Sequence, residues 1–262
     1  MNIYKDKTIL ITGASSGIGK CFAETLDQMG AKLILTARSE DKLNDMAEKM
    51  NNAIVIPGDL SDKEYPKKLH AEIKEKNIKV DILINNAGFG YSGKFLDNSI
   101  ENYEEMIAVN INSLVKLSHL FLNDMVNRKD CGIINISSLA SFQPIPYFSI
   151  YAATKAFVTS FTQSLYEEYR DLNINILCVC PGYTKTNFNK RANMSSRPAA
   201  GYLMSSKAVV EESLQAYKKG KFLIINGKIN RFAKCFTSLI PKKWALKMAS
   251  SIIKKGMSNN QW

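Results

Sequence analysis

The segment "SIYAATKAF" (149–157) sets Tyr151 and Lys155 four residues apart among good helix formers. That spacing stacks a phenol and an ammonium one turn apart on the same helix face. The chemistry open to such a pair is proton transfer, with the lysine making the tyrosine a better acid. An ordinary surface contact between an aromatic ring and an amphipathic lysine uses the same spacing, so the pair needs the rest of the chain to be read.

A second constellation is "TGASSGIG" (12–19), whose Gly13, Gly17 and Gly19 are spaced GxxxGxG. Glycines let the backbone turn tightly and approach a ligand. A helix N-terminus behind them offers free N–H groups and a positive dipole end to a pyrophosphate. Ser15 and Ser16 add hydroxyl donors. About 20 residues on, a NAD site carries an acid for the ribose 2′-OH. This chain reads "LTARSE", with Ala37 and Arg38 there and no acid before Glu40. Arginine suits a 2′-phosphate through forked, charge-assisted bonds, so NADP(H) is expected ahead of NAD(H), the other reading being a surface arginine at a strand end. Asp59 in "PGDLS" suits the adenine amino group or, alternatively, a turn.

These residues need elements to position them. "KTILIT" (7–12), "AKLILTA", "AIVIP", "VDILINNAG", "GIINISS", "INILCVC" and "KFLII" read as seven strands. Helical patterns lie between them, among them 61–77, 99–128, 150–171 and 207–219, with Ser39 a plausible cap of the second helix. Unbroken apolar strands alternating with helices imply an α/β fold, a Rossmann-like doubly wound, seven-stranded parallel sheet with helices on both faces. Its ligands sit outside the carboxyl ends of the strands.

The 262 residues suit a single dinucleotide-binding and catalytic domain over 1–228, followed by a basic amphipathic helical extension over 229–262. The net charge of +11 resides in the tail: no acid follows Glu212, and the eleven cations there equal the whole excess. A nucleic-acid partner is therefore not inferred from the charge. The tail's apolar residues recur at helical spacing in two short segments separated by Pro241. They predict docking on protein or weak contact with an anionic membrane surface, without a span. Cys21, Cys131, Cys178, Cys180 and Cys235 are odd in number and lack a CxxC, so they read as reduced thiols of a cytoplasmic protein. "MNIYKDKTIL" lacks a signal-peptide core. Cys178 and Cys180 share a strand face, but no ligand cluster supports a metal.

The motifs "TGASSGIG", "GDL", "NNAG" (85–88), "VNI" around Asn110, "ISS" ending at Ser138, "YAATK" (151–155) and "PGYTKT" (181–186) occur in one order over about 7–187. In these the chain resembles the short-chain dehydrogenase/reductase family. "NNAGFGYSGKF" is similar to its branch of 3-ketoacyl and hydroxysteroid reductases. The resemblance implies reversible hydride transfer between NAD(P)H and a carbonyl or alcohol, on a hydrophobic substrate. It implies Asn110, Ser138, Tyr151 and Lys155 as the catalytic set. Tyr151 would be general acid and base, with its pKa lowered by Lys155 and the positive nicotinamide. Ser138 would polarise the substrate oxygen, and Ser137 would point the other way. Asn110 would hold a proton-relaying water; read alone, it is a helix-interior asparagine facing solvent.

The cofactor set expected is Gly13, Ser15, Ser16, Gly17, Ile18, Gly19, Arg38, Asp59, Leu60, Asn86, Ala87, Gly88, Tyr151, Lys155, Pro181, Gly182, Thr184 and Thr186. Phe89, Phe142, Tyr147, Tyr183 and Phe188 would line an apolar pocket, and 187–206 would form a lid. A homodimer or homotetramer is implied. A non-catalytic dinucleotide sensor or scaffold, and a dehydratase or epimerase, remain alternatives on the same fold.

Overall fold

The protein is described by a computed structural model covering residues 2–188, 192 and 203–256. The elements follow as β1 (Thr8–Thr12), α1 (Gly17–Gln28), β2 (Lys32–Thr36), α2 (Glu40–Ala47), β3 (Ala53–Val55), α3 (Tyr65–Glu75), β4 (Ile82–Asn85), α4 (Ile100–Ile107), α5 (Leu114–Met125), β5 (Gly132–Ile136), α6 (Ser149–Tyr169), β6 (Asn175–Cys180), α7 (Ser206–Lys218), β7 (Leu223–Ile225), α8 (Lys228–Leu239) and α9 (Lys242–Gly256). All seven strands are parallel, in the order β3-β2-β1-β4-β5-β6-β7. The chain winds outward from β1 through β2 to β3, then returns to start β4 on the other side of β1. That reversal opens a crevice at the carboxyl ends of β1 and β4.

The apolar runs make strands because both faces are covered. Ile9, Ile11, Leu33, Leu35, Ile82 and Ile84 join a core with Phe22 and Leu26 of α1, Leu43 of α2 and Leu214 of α7. The alternate residues Leu10, Ile34, Leu83 and Ile133 join the opposite core with Leu69 of α3 and Leu117 and Phe121 of α5. Between them, one polar rung crosses the sheet. Asn85 Nδ2 donates to Asn135 Oδ1 (2.9 Å), its in-register partner, and Asn135 Nδ2 donates to Thr162 Oγ1 of α6 (3.0 Å).

Three expected elements differ. The third helix starts at Tyr65, not at residue 61. Asp59 and Asp62 spend their carboxylates on the N–H groups of Ser61 and Glu64, turning the chain, and Pro66 then opens the helix. The fourth strand stops at Asn85 because the next two N–H groups leave the ladder for Thr12. The pattern over 99–128 is α4 and α5 joined by a π-helical turn, Ala108–Ser113. Ser39 precedes α2, but its side chain makes no capping bond.

The basic tail folds back on the domain. Asn230 of α8 and Ala249 and Ile253 of α9 are buried. Among the described residues no helix is long and apolar enough to cross a membrane.

Candidate active site

The glycine turn is held open by a network that starts at Thr12. Its hydroxyl accepts from the N–H groups of Asn86 and Ala87, each at 3.0 Å, and Asn86 Nδ2 donates to the Thr12 and Gly13 carbonyls (2.8 and 3.3 Å). Gly13 has φ +64°, and a Cβ on Gly19 would stand 2.4 Å from both Asn86 Nδ2 and the Gly13 oxygen. Only glycine fits either position. The result is a bare backbone cradle at the N-terminus of α1, shaped for a pyrophosphate. Asn86 belongs to this site by stapling β4 to the turn, its amide being committed to backbone.

A cleft of about 500 Å³ begins at this cradle. Gly13, Ser15, Ser16, Gly17, Ile18, Arg38, Asp59, Leu60, Asn86, Ala87, Gly88, Ser138, Tyr151, Lys155, Pro181, Gly182, Thr184 and Thr186 all line it. Asn110 does not, but its side chain ends against Gly88, on which a Cβ would lie 3.0 Å from Asn110 Oδ1 and 3.1 Å from Lys155 Nζ. At one end, Arg38 is half exposed and pairs with Glu105 of α4 at 3.0 Å, with Asp59 at 3.9 Å. Its guanidinium thus reaches the cleft already held by carboxylates. Asp59 is a turn residue through Oδ1 and faces Arg38 through Oδ2.

At the other end Ser138 follows β5 and Tyr151 and Lys155 come from α6. Strand alternation separates the two serines: Ser137 Oγ donates to the Lys155 carbonyl (2.8 Å), whereas Ser138 lines the cleft and accepts from Ala140 N (3.1 Å). Tyr151 and Lys155 are 7 % and 4 % exposed, so they form no surface contact. Lys155 Nζ lies 5.8 Å from the Tyr151 ring centroid and donates to the Ile136 carbonyl (2.9 Å).

The electrostatics correct one expectation. Burial pushes the Tyr151 phenol up to about 12, opposed by a hydrogen bond with the Ser138 side chain; Lys155 is not what lowers it. Burial also draws the Lys155 ammonium down to about 8. Within the chain, desolvation of both groups outweighs any pull of the lysine on the phenol.

Asn110 does not face solvent; it is 1 % exposed. Its Oδ1 accepts from Phe89 N (3.1 Å), and its Nδ2 donates to Phe89 O and Thr154 Oγ1 (both 3.0 Å). It thereby joins the stretch after β4 to α6. The π-helical turn that carries it is the price of aiming that side chain inward, a distortion that recurs at functional sites.

Pro181 follows β6, its carbonyl accepting from Leu139 N (2.8 Å), and Thr184 donates to the Gly182 carbonyl (3.0 Å). Thr186 overhangs the glycine turn: its Cγ2 would be 3.2 Å from a Cβ on Gly17. Phe89, Tyr183 and Phe188 line the cleft. Phe142 and Tyr147 do not; their rings lie under Lys234 of α8 and Lys254 of α9 at 5.7 and 5.1 Å. Much of the expected lid, 189–191 and 193–202, lies outside the described residues. Sequence reading missed the wall made by the tail, including Ile229, Asn230, Phe236, Met248 and Ile252. The helical apolar spacing there was visible, but not the face it covers.

Comparison with known proteins follows the same lines. Residues 7–196 match the sequence model of the short chain dehydrogenase family. An uncharacterised oxidoreductase of Staphylococcus saprophyticus is 32 % identical over 85 % of this chain and 95 % of its own length. The very-long-chain 3-oxoacyl-CoA reductase of Bos taurus is 36 % identical over 69 % of this chain and 60 % of its own. The structure of a short-chain dehydrogenase from Sphingobium yanoikuyae in complex with NADPH superposes with a TM-score of 0.80 at 28 % identity, covering 90 % of this chain and 97 % of that one.

Proposed function

The chain belongs to the short chain dehydrogenase family and is an NAD(P)-dependent oxidoreductase, and from that premise we propose that it interconverts a carbonyl and a secondary alcohol on a hydrophobic, 3-ketoacyl or steroid-like substrate. The observation that carries this reading is one cleft that joins a bare glycine cradle to Ser138, Tyr151 and Lys155. Phe89, Tyr183 and Phe188 in its wall favour an apolar substrate, and the Bos taurus relative is named for a long-chain one.

The cradle, Gly88 and Thr186 would hold the dinucleotide, which when bound would supply the hydride in reduction and accept it in oxidation. Tyr151 gives its phenolic proton to the substrate oxygen as the carbonyl carbon is reduced, and takes it back in oxidation. Burial suits the first task, since a phenol raised to about 12 stays protonated at neutral pH. Oxidation requires added positive charge nearby, which an oxidised nicotinamide would supply when bound. Ser138 polarises the substrate oxygen. Lys155 would hold the nicotinamide ribose, and Asn110 would hold the water that returns protons to it.

Arg38 supports NADP(H) ahead of NAD(H), once its guanidinium exchanges Glu105 for a 2′-phosphate. Exposed Ile107 of α4 and Phe157 of α6 support a homodimer or homotetramer through these helices. Five free thiols support a cytoplasmic location, and the basic tail supports weak contact with an anionic membrane surface.

The test is a carbonyl panel followed by NADPH absorbance, with wild type beside Tyr151→Phe and Arg38→Asp. Tyr151→Phe is expected to lose turnover and keep NADPH binding. Arg38→Asp is expected to shift preference toward NADH. Near-normal turnover by the first variant sinks the tyrosine's role, and equal use of both cofactors by wild type sinks the cofactor preference.

A further inference from the structure

Helices α8 and α9 have two working faces. Their inner faces wall the cleft through residues such as Ala233 and Ile252. Their outer faces leave large apolar side chains in water: Leu239 is 85 % exposed, Phe232 73 % and Trp244 69 %. On a helix turning about 100° per residue, Phe232 and Leu239 lie on the side opposite Asn230 and Thr237, with Ile229 and Phe236 at the edge where that outer face meets the cleft. Seven of the sixteen large apolar residues exposed among the described residues lie between Ile229 and Met248, and four of them, Phe232, Leu239, Trp244 and Leu246, stand outside the cleft wall. The patch therefore belongs to these two helices and not to the surface at large.

Charge decides what covers it. No acid follows Glu212. Arg231 is paired with that glutamate, and Lys242, Lys243 and Lys247 stand exposed beside Trp244. A second copy of this chain presenting the same face would set cations against cations, a costly contact. Protein interfaces are depleted in lysine at their centre. Helices that lie in a lipid interface combine lysines on the polar flank with Trp, Phe and Leu on the other.

We infer that α8 and α9 form a foot on an anionic lipid leaflet. Phe232, Leu239 and Trp244 enter the acyl boundary, and Lys242, Lys243 and Lys247 meet the headgroups. Because the same helices wall the cleft, the foot brings its mouth against the leaflet, and a ketone dissolved in the bilayer reaches Tyr151 along their inner face. Only this last step rests on the proposed hydrophobic ketone; the docking stands without it.

The chain has two tryptophans, so full-length Trp262→Phe leaves Trp244 as the sole reporter. It is mixed with vesicles of phosphatidylcholine and phosphatidylglycerol in equal parts, or of phosphatidylcholine alone, at low and high salt. The expected result is sedimentation with the anionic vesicles, a blue shift of Trp244 emission and quenching by brominated acyl chains, all lost at high salt and absent with neutral vesicles. Lys242→Glu/Lys243→Glu/Lys247→Glu should bind at least about a hundredfold more weakly, at roughly fivefold for each lysine lost near an anionic leaflet. Phe232→Ser/Leu239→Ser should lose sedimentation with its mass by light scattering unchanged.

No binding at low salt overturns the foot. Binding without a Trp244 shift overturns insertion, and equal binding to neutral vesicles overturns the role of charge. A changed oligomeric mass in the serine variant with vesicle binding intact assigns the patch to a second copy. For the delivery step, the charge-reversed variant should lose kcat/KM on a vesicle-dissolved ketone in step with binding, and keep it on a water-soluble one. Equal rates on both overturn delivery. Failure of the wild type on every ketone would sink the reductase reading and leave the vesicle result standing.

Discussion

Replacing Lys155 by methionine is expected to stabilise the cofactor-free protein while abolishing its activity. The lysine is 4 % exposed, and the one described hydrogen bond of its ammonium runs to the Ile136 carbonyl. Burial draws it from 10.5 to about 8. At roughly 1.4 kcal/mol per pH unit, keeping it charged costs the folded state about 3 kcal/mol at pH 7. Methionine fills the same space without charge but strands the Ile136 carbonyl, which returns about 1 kcal/mol. The net gain is about 2 kcal/mol, or a Tm higher by about 4–8 °C for a domain of this size. The sign with pH follows from linkage: a folded-state pKa below the unfolded one means the unfolded chain binds more protons between 8 and 10.5. Wild-type stability gains from this group as pH rises through that window and loses it as pH falls through 8. The advantage of the methionine variant should thus be full at pH 7, shrink as pH rises above 8 and be gone before pH 10.5, where only the stranded carbonyl remains. Tyr151, raised by burial, works in the opposite sense above pH 10, but it is present in both proteins and cancels. Denaturant titration of both proteins at pH 7 and 10 measures the difference. A methionine variant less stable than wild type at pH 7, or a difference flat with pH, refutes the reasoning.

Other perturbations test the scaffold. Gly19→Ala should cost about 1–3 kcal/mol and weaken NADPH binding by fluorescence titration, because the new methyl meets the Gly13 oxygen and Asn86 Nδ2 at 2.4 Å; unchanged binding would show the cradle is not rigid. Thr12→Val removes the acceptor of two backbone N–H groups and should cost about 2–4 kcal/mol in urea denaturation. Asn110→Ala strands both backbone groups of Phe89; about 2–3 kcal/mol of stability should go, with kcat falling more than NADPH affinity. Glu105→Gln frees Arg38 from a partly exposed pair and should tighten NADPH about threefold with no change for NADH, a pair of this kind contributing under about 1 kcal/mol; equal gains for both cofactors would exclude Arg38 from 2′-phosphate recognition.

Local chemistry carried much of this molecule. The seven strands are legible because apolar runs buried on both faces need no long-range information to be recognised. The glycine turn is legible because its spacing has one backbone solution between a strand and a helix. Tyr151 and Lys155 share a face for the same reason, four residues being one helical turn. What sequence spacing does not carry is who meets whom across the fold. Helix periodicity reads 99–128 as continuous, yet Asn110 finds its partners in Phe89 and Thr154, 21 and 44 residues away, and the helix yields a π turn to reach them. Phe142 and Tyr147 look like pocket aromatics, but the returning tail places lysines over their rings. The sign of the Tyr151 shift is likewise a tertiary fact. Proximity to an ammonium can be read from spacing, but desolvation depends on every element packed around the ring, and here desolvation is the larger effect.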